Sequence, residues 1–358
     1  MKIDIKRLAV SIFLIAVIFT AGWVIFDSVF PNTVLRGENL ELSAGLHQTF
    51  AHDNMALLVG NEGLMVINRR GEVVTNVNER FSFPFASVNG NFILHSGRRS
   101  REFVIYRNRR EFYRVNANGN IMLGKVNRNG YAAVVTEAMG FNGMVTIYNR
   151  RGNPIYQWFV GDGYILDVDI SPNNQMFAIA KFSSDGTTVS SSITFVDIAR
   201  DEVMEVVHRN DSLISALKFN RDGTLLAVSD TELLGFNRDG RLRYYVNFNG
   251  RTLSTFNIDS ENTVVLAFLA GRGNTAIEIY NRDGRMRGSH LAQGRIRNLT
   301  VSGDVILCSR LRTVLRIHPN GRAEELITVP YDIQSLQVLG DRRHVLVVGG
   351  TGANVIRF

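Results

Sequence analysis

Asp167 and Asp169 have the spacing that best suits acid–base chemistry in this sequence, because they lie two positions apart in the apolar stretch Tyr164–Ile170. Alternate residues of a strand point to the same side, so both carboxylates are expected on one face. A pair of this kind can act as general acid and general base. Its more common role is to accept hydrogen bonds that cap turns, and we predict that structural role here.

The other reactive side chains form no catalytic or metal-binding pattern. The single cysteine, Cys308, lies in an apolar run and is expected to be buried and inert. The run Ser183–Thr188 is similar to the Asp-box of sialidases, but Val189 replaces its aromatic residue, so a polar hairpin loop is predicted. The histidines lack the spacings that place two ligands on one metal; they are His47, His52, His95, His208, His290, His318 and His344. The sequence therefore predicts no catalytic residue, no metal and no cofactor.

Arginine dominates the charge of the chain, since only five of the 40 basic residues are lysines and the net charge is +7. Many arginines stand in turns of the form Asn-x-x-Gly or in stretches that align with those turns. Ten of them are candidates for one basic surface: Arg69, Arg70, Arg109, Arg110, Arg128, Arg150, Arg151, Arg221, Arg238 and Arg282. Whether these arginines share one surface depends on the arrangement of the strands that flank the turns.

These turns recur at a regular period. One complete unit, Ile214–Phe248, reads as four short strands, and two of its connections are Asn-Arg-Asp-Gly. In this tetrapeptide Asn hydrogen-bonds its own backbone and Gly supplies a positive φ. The turn after the third strand starts at positions 68, 108, 149, 197, 237, 281 and 318, which are 37 to 48 residues apart. Four strands at a period of roughly 40 to 50 residues predict an all-β propeller.

The two ends of the repeat region indicate how the ring closes. Arg343–Val348 and Asn354–Phe358 have the pattern of the second and third strands of an eighth unit that has no fourth strand. Thr33–Leu42 is a strand-like segment without partners, so we expect it to complete that sheet and remove an open edge. The prediction is an eight-bladed β-propeller over residues 33–358. Seven blades are the alternative, if one of the weaker repeats is not a blade.

The first 32 residues predict a transmembrane signal anchor. Leu8–Phe26 contains no charge over 19 residues, close to the ~20 that a helix needs to span a bilayer. Residues 1–7 contain Lys2, Lys6 and Arg7, so the positive-inside rule places them in the cytoplasm. Residues 27–32 would be a linker, with the propeller outside the cytoplasm. The alternative is a cleaved signal peptide with Thr20–Gly22 as its small-residue cleavage region.

The repeated pattern resembles the repeats of WD40-like and quinoprotein-like propellers. It consists of an apolar strand, an Asn-x-x-Gly turn and a strand with aromatic residues, as in Asn149–Trp158 and Asn237–Tyr245. With its anchor, the chain resembles an uncharacterised family of membrane-anchored bacterial propeller proteins, known mainly from Gram-positive species. It has no Trp-Asp dipeptide, and it lacks the tryptophan docking motifs and vicinal cysteines of quinoprotein dehydrogenases. The resemblance implies a single-pass protein of the bacterial cytoplasmic membrane and names no ligand.

Topology predicts an orientation for such a propeller. Turns between the first and second strands, and between the third and fourth, lie on one face, so the ten arginines are expected there. The N-terminal strand would begin on the same face, which predicts that the basic surface looks toward the membrane. Contacts with anionic lipid would contribute about 1 kcal/mol per basic residue. The ordinary alternative is that these arginines are solvated turn residues.

Function is therefore predicted on the opposite face. The leading hypothesis is a non-catalytic binding or assembly scaffold that recognises an envelope protein or a cell-wall polymer there. Nucleic acid is not expected as a partner, because no aromatic residues are interleaved with the basic ones. The alternative is a propeller-type glycoside hydrolase or lyase, with Asp162, Asp167 and Asp211 meeting at the mouth of the central channel.

Overall fold

The computed structural model describes residues 40–41, 45–259, 261 and 263–358, in which strands are joined by tight turns. Within these residues, 32 strands form eight antiparallel sheets of four strands each. The first strands of neighbouring sheets contact one another around a central channel. The prediction of an all-β, eight-bladed propeller is confirmed, and the seven-bladed alternative is wrong.

Strands within a blade are lettered A to D from the channel outward. Blades 1 and 2 contain β2 (Leu46–His52), β3 (Met55–Gly60), β4 (Gly63–Ile67), β5 (Val73–Val77), β6 (Pro84–Asn89), β7 (Phe92–Gly97), β8 (Glu102–Arg107) and β9 (Arg110–Asn116). Blades 3 and 4 contain β10 (Ile121–Val126), β11 (Ala132–Ala138), β12 (Phe141–Tyr148), β13 (Pro154–Val160), β14 (Tyr164–Ile170), β15 (Met176–Ser184), β16 (Val189–Asp197) and β17 (Glu202–Asn210).

The remaining blades follow in the same order. Blades 5 and 6 contain β18 (Ile214–Phe219), β19 (Leu225–Ser229), β20 (Glu232–Phe236), β21 (Leu242–Asn247), β22 (Leu253–Ile258), β23 (Val264–Leu269), β24 (Thr275–Tyr280) and β25 (Met286–Ala292). Blades 7 and 8 contain β26 (Asn298–Ser302), β27 (Val305–Arg310), β28 (Thr313–Ile317), β29 (Ala323–Thr328), β30 (Ser335–Val338), β31 (His344–Val348), β32 (Gly352–Arg357) and, as the outer strand, β1 (Leu40–Glu41).

The Asn-x-x-Gly turns form as their sequence predicts. Asn237 Oδ1 accepts hydrogen bonds from the amides of Asp239 at 3.0 Å and Arg241 at 2.9 Å. Gly240 adopts a φ of 79°, a conformation that a side chain disfavours. In the turn of blade 4, Asp197 accepts hydrogen bonds from the amides of Ala199 at 2.9 Å and Arg200 at 3.0 Å. In blade 2, Asn108 and Arg109 instead adopt positive φ values of 48° and 69° in the tight turn between β8 and β9. The weaker repeats are therefore closed by other turn geometries.

Apolar side chains pack between neighbouring blades rather than within one. One buried cluster lies at each of the eight interfaces between blades. The cluster between blades 8 and 1 joins Ala56 and Leu58 to Leu346 and Val355. Because every blade buries both of its faces against neighbours, its B and C strands are almost wholly apolar.

A ring of hydrogen bonds also joins the A strands around the channel. In the described part of the chain each interface between blades has at least one such bond, of 3.3 Å or less. The bonded pairs are Gln48–Ala86, Ser87–Val126, Lys125–Asp167, Asp167–Leu217, Lys218–Ile258, Asn257–Leu299, Thr300–Val338 and Ser335–Thr49. Adjacent A strands lie side by side in the channel wall. Their polar side chains supply hydrogen-bond partners for the backbone or side-chain groups of the next A strand.

The N-terminal strand closes the ring. Strand β1 pairs antiparallel with β32, so that Leu40 lies opposite Ala353 and Glu41 lies opposite Gly352. This pairing confirms the predicted closure at Leu40–Glu41; most of the predicted segment Thr33–Leu42 lies outside the described residues. Pairing covers the outer edge of β32 at Gly352 and Ala353.

The predicted membrane span at residues 8–26, and the linker after it, lie outside the described residues. Among the residues that are described, no helix has the length and apolar character needed to cross a membrane.

Candidate functional site

Asp167 and Asp169 lie in the channel wall on β14. Asp167 accepts hydrogen bonds from Lys125 Nζ at 2.6 Å and from the Leu217 amide at 2.7 Å. Asp169 accepts a hydrogen bond from the Phe219 amide at 2.7 Å. Both carboxylates thus bind the A strand of the next blade, whereas the sequence predicted turn caps. They face a neighbouring β-strand because the whole of β14 is flanked by β10 and β18.

Burial controls the charges of this wall. It raises the pKa of Asp169 to about 6, against the opposing attraction of Lys125. Burial also lowers the pKa of Lys218, and the negative charge of Asp259 offsets part of that effect. Lys218 Nζ donates a hydrogen bond to the Ile258 carbonyl oxygen and so joins blades 5 and 6. The charged side chains of the channel wall therefore connect neighbouring blades.

The three acids considered for an enzyme site lie in different surroundings. Asp162 is 86% exposed and its carboxylate accepts a hydrogen bond from Lys181 Nζ at 2.8 Å. Asp211 is exposed in the connection between β17 and β18. Asp167 is buried and bound to Lys125. Within the described residues no hydrogen bond or ion pair joins any two of these three acids. Asp162 and Asp211 lie in connections between blades, whereas Asp167 lies on β14.

Turns between strands A and B and between strands C and D lie on one surface, which we call the AB/CD face. All ten predicted arginines stand in, or next to, these turns, and nine of them are exposed. Arg109 is half-buried, with its guanidinium 3.2 Å from Met55 Sδ. Arg69 pairs with Asp341 and Arg282 with Asp222, each at 3.6 Å.

The channel opens on the AB/CD face as a cavity of about 510 Å³ lined by residues from every blade. Basic side chains exceed acidic ones in its lining. Lys125, Lys218, Arg128 and Arg221 contribute positive charge, and Asp259 contributes negative charge.

Among the described side chains, His52 and His95 are buried histidines, and neither ring nitrogen of either has a hydrogen-bond partner. The His95 ring packs edge-on against Phe81 at 4.9 Å. Burial lowers its pKa to about 4. Cys308 is buried, as expected, and burial raises the pKa of its thiol to about 12. In the described part of the chain, no three His, Cys, Asp or Glu side chains converge as metal ligands.

Connections between strands B and C and between blades form the opposite surface, which we call the BC/DA face. Most connections between strands B and C are tight hairpins, because the strands continue almost to the turn. Ser183–Ser192, for example, is mostly strand, and only residues 185–188 form its turn. Asp185 Oδ1 accepts the amides of Thr187 and Thr188 at 3.0 and 2.8 Å in that turn.

Large apolar side chains are exposed on the BC/DA face of blades 3 and 4. Met139, at the tip of the β11–β12 hairpin, is 100% exposed, and Phe141, Phe159 and Tyr164 are each about half exposed (47%, 47% and 56%). The rings of Phe141 and Phe159 contact each other at a tilt of 42° with centroids 4.8 Å apart, and Tyr164 packs on Phe182 at 5.5 Å. We call these five side chains the aromatic patch.

Exposed acids lie on the BC/DA face of the same two blades. Glu137, Asp162, Asp185 and Asp211 are all exposed. Glu137 lies near the end of β11, and the other three lie in connections of blade 4 or in those that join it to blades 3 and 5. An apolar centre with a charged border is the usual arrangement of a protein-binding surface.

Eight four-stranded blades around a channel define a β-propeller. The chain belongs to a family of unknown function, DUF5711, whose model matches residues 40–358. That match covers the whole described propeller. A search of curated proteins found no match.

Solved structures that resemble this chain are propellers with low sequence identity. The C-terminal WD40 domain of Sif2 superposes with a TM-score of 0.63 at 11% identity, covering 89% of this chain and 97% of that one. BamB from Moraxella catarrhalis gives a TM-score of 0.52 at 13% identity, covering 89% and 100%. The Cps50 (Swd1) propeller domain of Myceliophteria thermophila gives 0.53 at 9% identity, covering 89% and 98%. At such identities the likeness shows the fold alone.

Proposed function

We propose that this protein is a non-catalytic, membrane-tethered scaffold of the cell envelope, and that it binds a protein partner on its BC/DA face. The observation that carries the proposal is the aromatic patch. Surfaces that bind proteins are enriched in aromatic residues and methionine, and a soluble surface gains nothing by exposing an aromatic pair such as Phe141 and Phe159. The acids around the patch fit a partner that presents an apolar anchor flanked by basic side chains.

The direction of the N-terminal strand supports the orientation of the scaffold. Because β1 is antiparallel to β32, it runs from the AB/CD face toward the BC/DA face. Within this pairing Leu40 therefore lies nearer to the AB/CD face than Glu41 does. An anchor at residues 8–26 would hold the propeller with this face toward the membrane, where exposed arginines such as Arg150 and Arg151 meet anionic head groups. The aromatic patch then faces away from the membrane.

One experiment tests location and binding together. In the full-length protein, Met139→Cys introduces an exposed thiol at the edge of the aromatic patch, while the native thiol of Cys308 stays buried. We expect a membrane-impermeant maleimide–benzophenone reagent to label this variant, but not the wild type, in intact cells. Illumination should then join it to one discrete protein. Adding Phe159→Asp and Tyr164→Asp should reduce that product at least tenfold, since buried aromatic anchors contribute about 2 kcal/mol or more each.

Arg151→Cys, exposed on the AB/CD face, is the matched control, and it should be labelled after solubilisation without forming the product. Labelling of Met139→Cys only in permeabilised cells would contradict the location. Labelling without a protein product, or a product that carries polysaccharide, would contradict protein binding.

A further inference from the structure

A second candidate binding site lies on the BC/DA face, at blades 6 to 8. A cavity of about 710 Å³ opens between the β25–β26 connection, the β27–β28 turn and Asp332 of the β29–β30 connection. We call it the arginine pocket. Its lining contains Arg295, Arg297, Arg310 and Arg312.

Charge in the arginine pocket is only partly compensated. Arg310 pairs with Glu325 at 2.7 Å, and Arg312 pairs with Asp332 at 2.9 Å. Arg295 and Arg297 are exposed, and no acid within the described residues pairs with either of them. Guanidinium groups repel one another when they share a small space. An anion placed between them would relieve that repulsion and accept paired hydrogen bonds.

The backbone around the arginine pocket is held rigidly by buried polar side chains. Thr275, fully buried, accepts the Ile296 amide at 3.0 Å and donates to the Gly294 carbonyl oxygen at 3.1 Å. Ser309, also fully buried, accepts a hydrogen bond from Asn298 Nδ2 at 2.9 Å. These bonds fix the connection that carries Arg295 and Arg297. A preformed site loses less conformational entropy when it binds.

An apolar side chain stands at the edge of the same pocket. Leu311 is 50% exposed and has a φ of 52°, a backbone conformation that is costly for leucine. Its carbonyl oxygen accepts the Ile333 amide at 2.9 Å, which keeps the turn in place. The pocket therefore offers a hydrophobic contact beside its guanidinium groups.

We propose that the arginine pocket binds carboxylates of an acidic peptide segment that carries an apolar residue next to the acid. Both ion pairs already formed in the pocket are with carboxylates, and Leu311 supplies a contact for an adjacent apolar side chain. A phosphodiester polymer would use the charge but not Leu311. The inference rests on the proposed function in one respect, namely that the BC/DA face receives a protein.

Binding of defined probes to the full-length protein in detergent tests this inference. The probes are a fluorescent octapeptide of alternating Glu and Leu, a matched octapeptide of alternating Gln and Leu, and poly(glycerol phosphate). At low ionic strength we expect the acidic peptide to bind at least tenfold more tightly than the Gln-Leu peptide. The double substitution Arg295→Glu with Arg297→Glu should lower the affinity for the acidic peptide at least tenfold, and Leu311→Ser should lower it about threefold.

Arg98→Glu with Arg99→Glu is the matched control, because it reverses two exposed arginines on the same face of blade 2. This control should change the affinity less than twofold. Three results would overturn the inference. They are an equal loss of affinity for the acidic peptide in both double variants, equal affinity for the acidic and the Gln-Leu peptides, and binding of poly(glycerol phosphate) alone. The crosslinking from position 139 is independent of this pocket, so failure here is distinguishable from failure of the proposed function.

Discussion

Replacing Asp167 with alanine should lower the free energy of unfolding by about 3 kcal/mol, since it removes one partner of a buried ion pair. The side chains of Lys125 and Asp167 are only 29% and 12% exposed. The substitution leaves the Lys125 ammonium without its carboxylate and the Leu217 amide without its acceptor. It also removes one hydrogen bond from blade 4 to each of its two neighbours. Urea unfolding of the full-length protein measures the loss.

Two further variants make the interpretation specific. Asp162→Ala breaks a pair whose carboxylate is 86% exposed, so its cost should stay below about 1 kcal/mol. Lys125→Met combined with Asp167→Ala removes the unpaired charge and should be more stable than Asp167→Ala alone. Similar losses for Asp162→Ala and Asp167→Ala would show that the channel-wall pair does not fasten the blades.

His95 should make the propeller sensitive to mild acid. Its pKa in the folded protein is lowered to about 4 from the ordinary 6.5, because the ring is buried. Between these values the unfolded chain binds a proton that the folded chain does not, so stability is full above pH 6.5 and is lost as the pH falls toward 4. The loss attributable to His95 is about 2 kcal/mol between pH 7.5 and pH 5.

Replacing His95 with leucine tests this effect, because leucine has a similar size and the histidine ring has no hydrogen bond to lose. The variant should match the wild type at pH 7.5 to within about 1 kcal/mol and exceed its stability at pH 5. His208→Leu, at an exposed position of β17, should keep the pH dependence of the wild type. Unfolding curves of wild type and His95→Leu that stay parallel from pH 7.5 to pH 5 would refute the role of His95.

Much of the fold could be predicted because its rules are local. An Asn-x-x-Gly turn specifies its own hydrogen bonds and its positive φ, as Asn237 and Gly240 show. The period of these turns then gives the number of blades. Closure could be predicted because a lone strand at one end matched a missing strand at the other, and Leu40–Glu41 does pair with β32.

The candidate sites could not be predicted in the same way, because they join residues from different blades. Asp167 and Asp169 signalled a shared face, but their partners Leu217 and Phe219 lie 50 residues further along. The aromatic patch combines a hairpin tip with the ends of other strands. Phe141, Phe159 and Tyr164 lie at or near the ends of their strands. Each therefore looks like an ordinary strand residue until the face on which it lies is known. The arginine pocket likewise needs three connections to meet.

The central claim is that the N-terminal strand closes the ring and so fixes which face is tethered and which is free to bind. Oxidation of a cysteine pair in the full-length protein tests it most directly. Leu40→Cys with Ala353→Cys places two thiols opposite each other in the register of β1 and β32, within the range of a disulfide. We predict that this pair closes, whereas Leu40→Cys with Arg357→Cys, four residues along β32, stays reduced. Closure of the second pair, or of neither pair, would contradict the account.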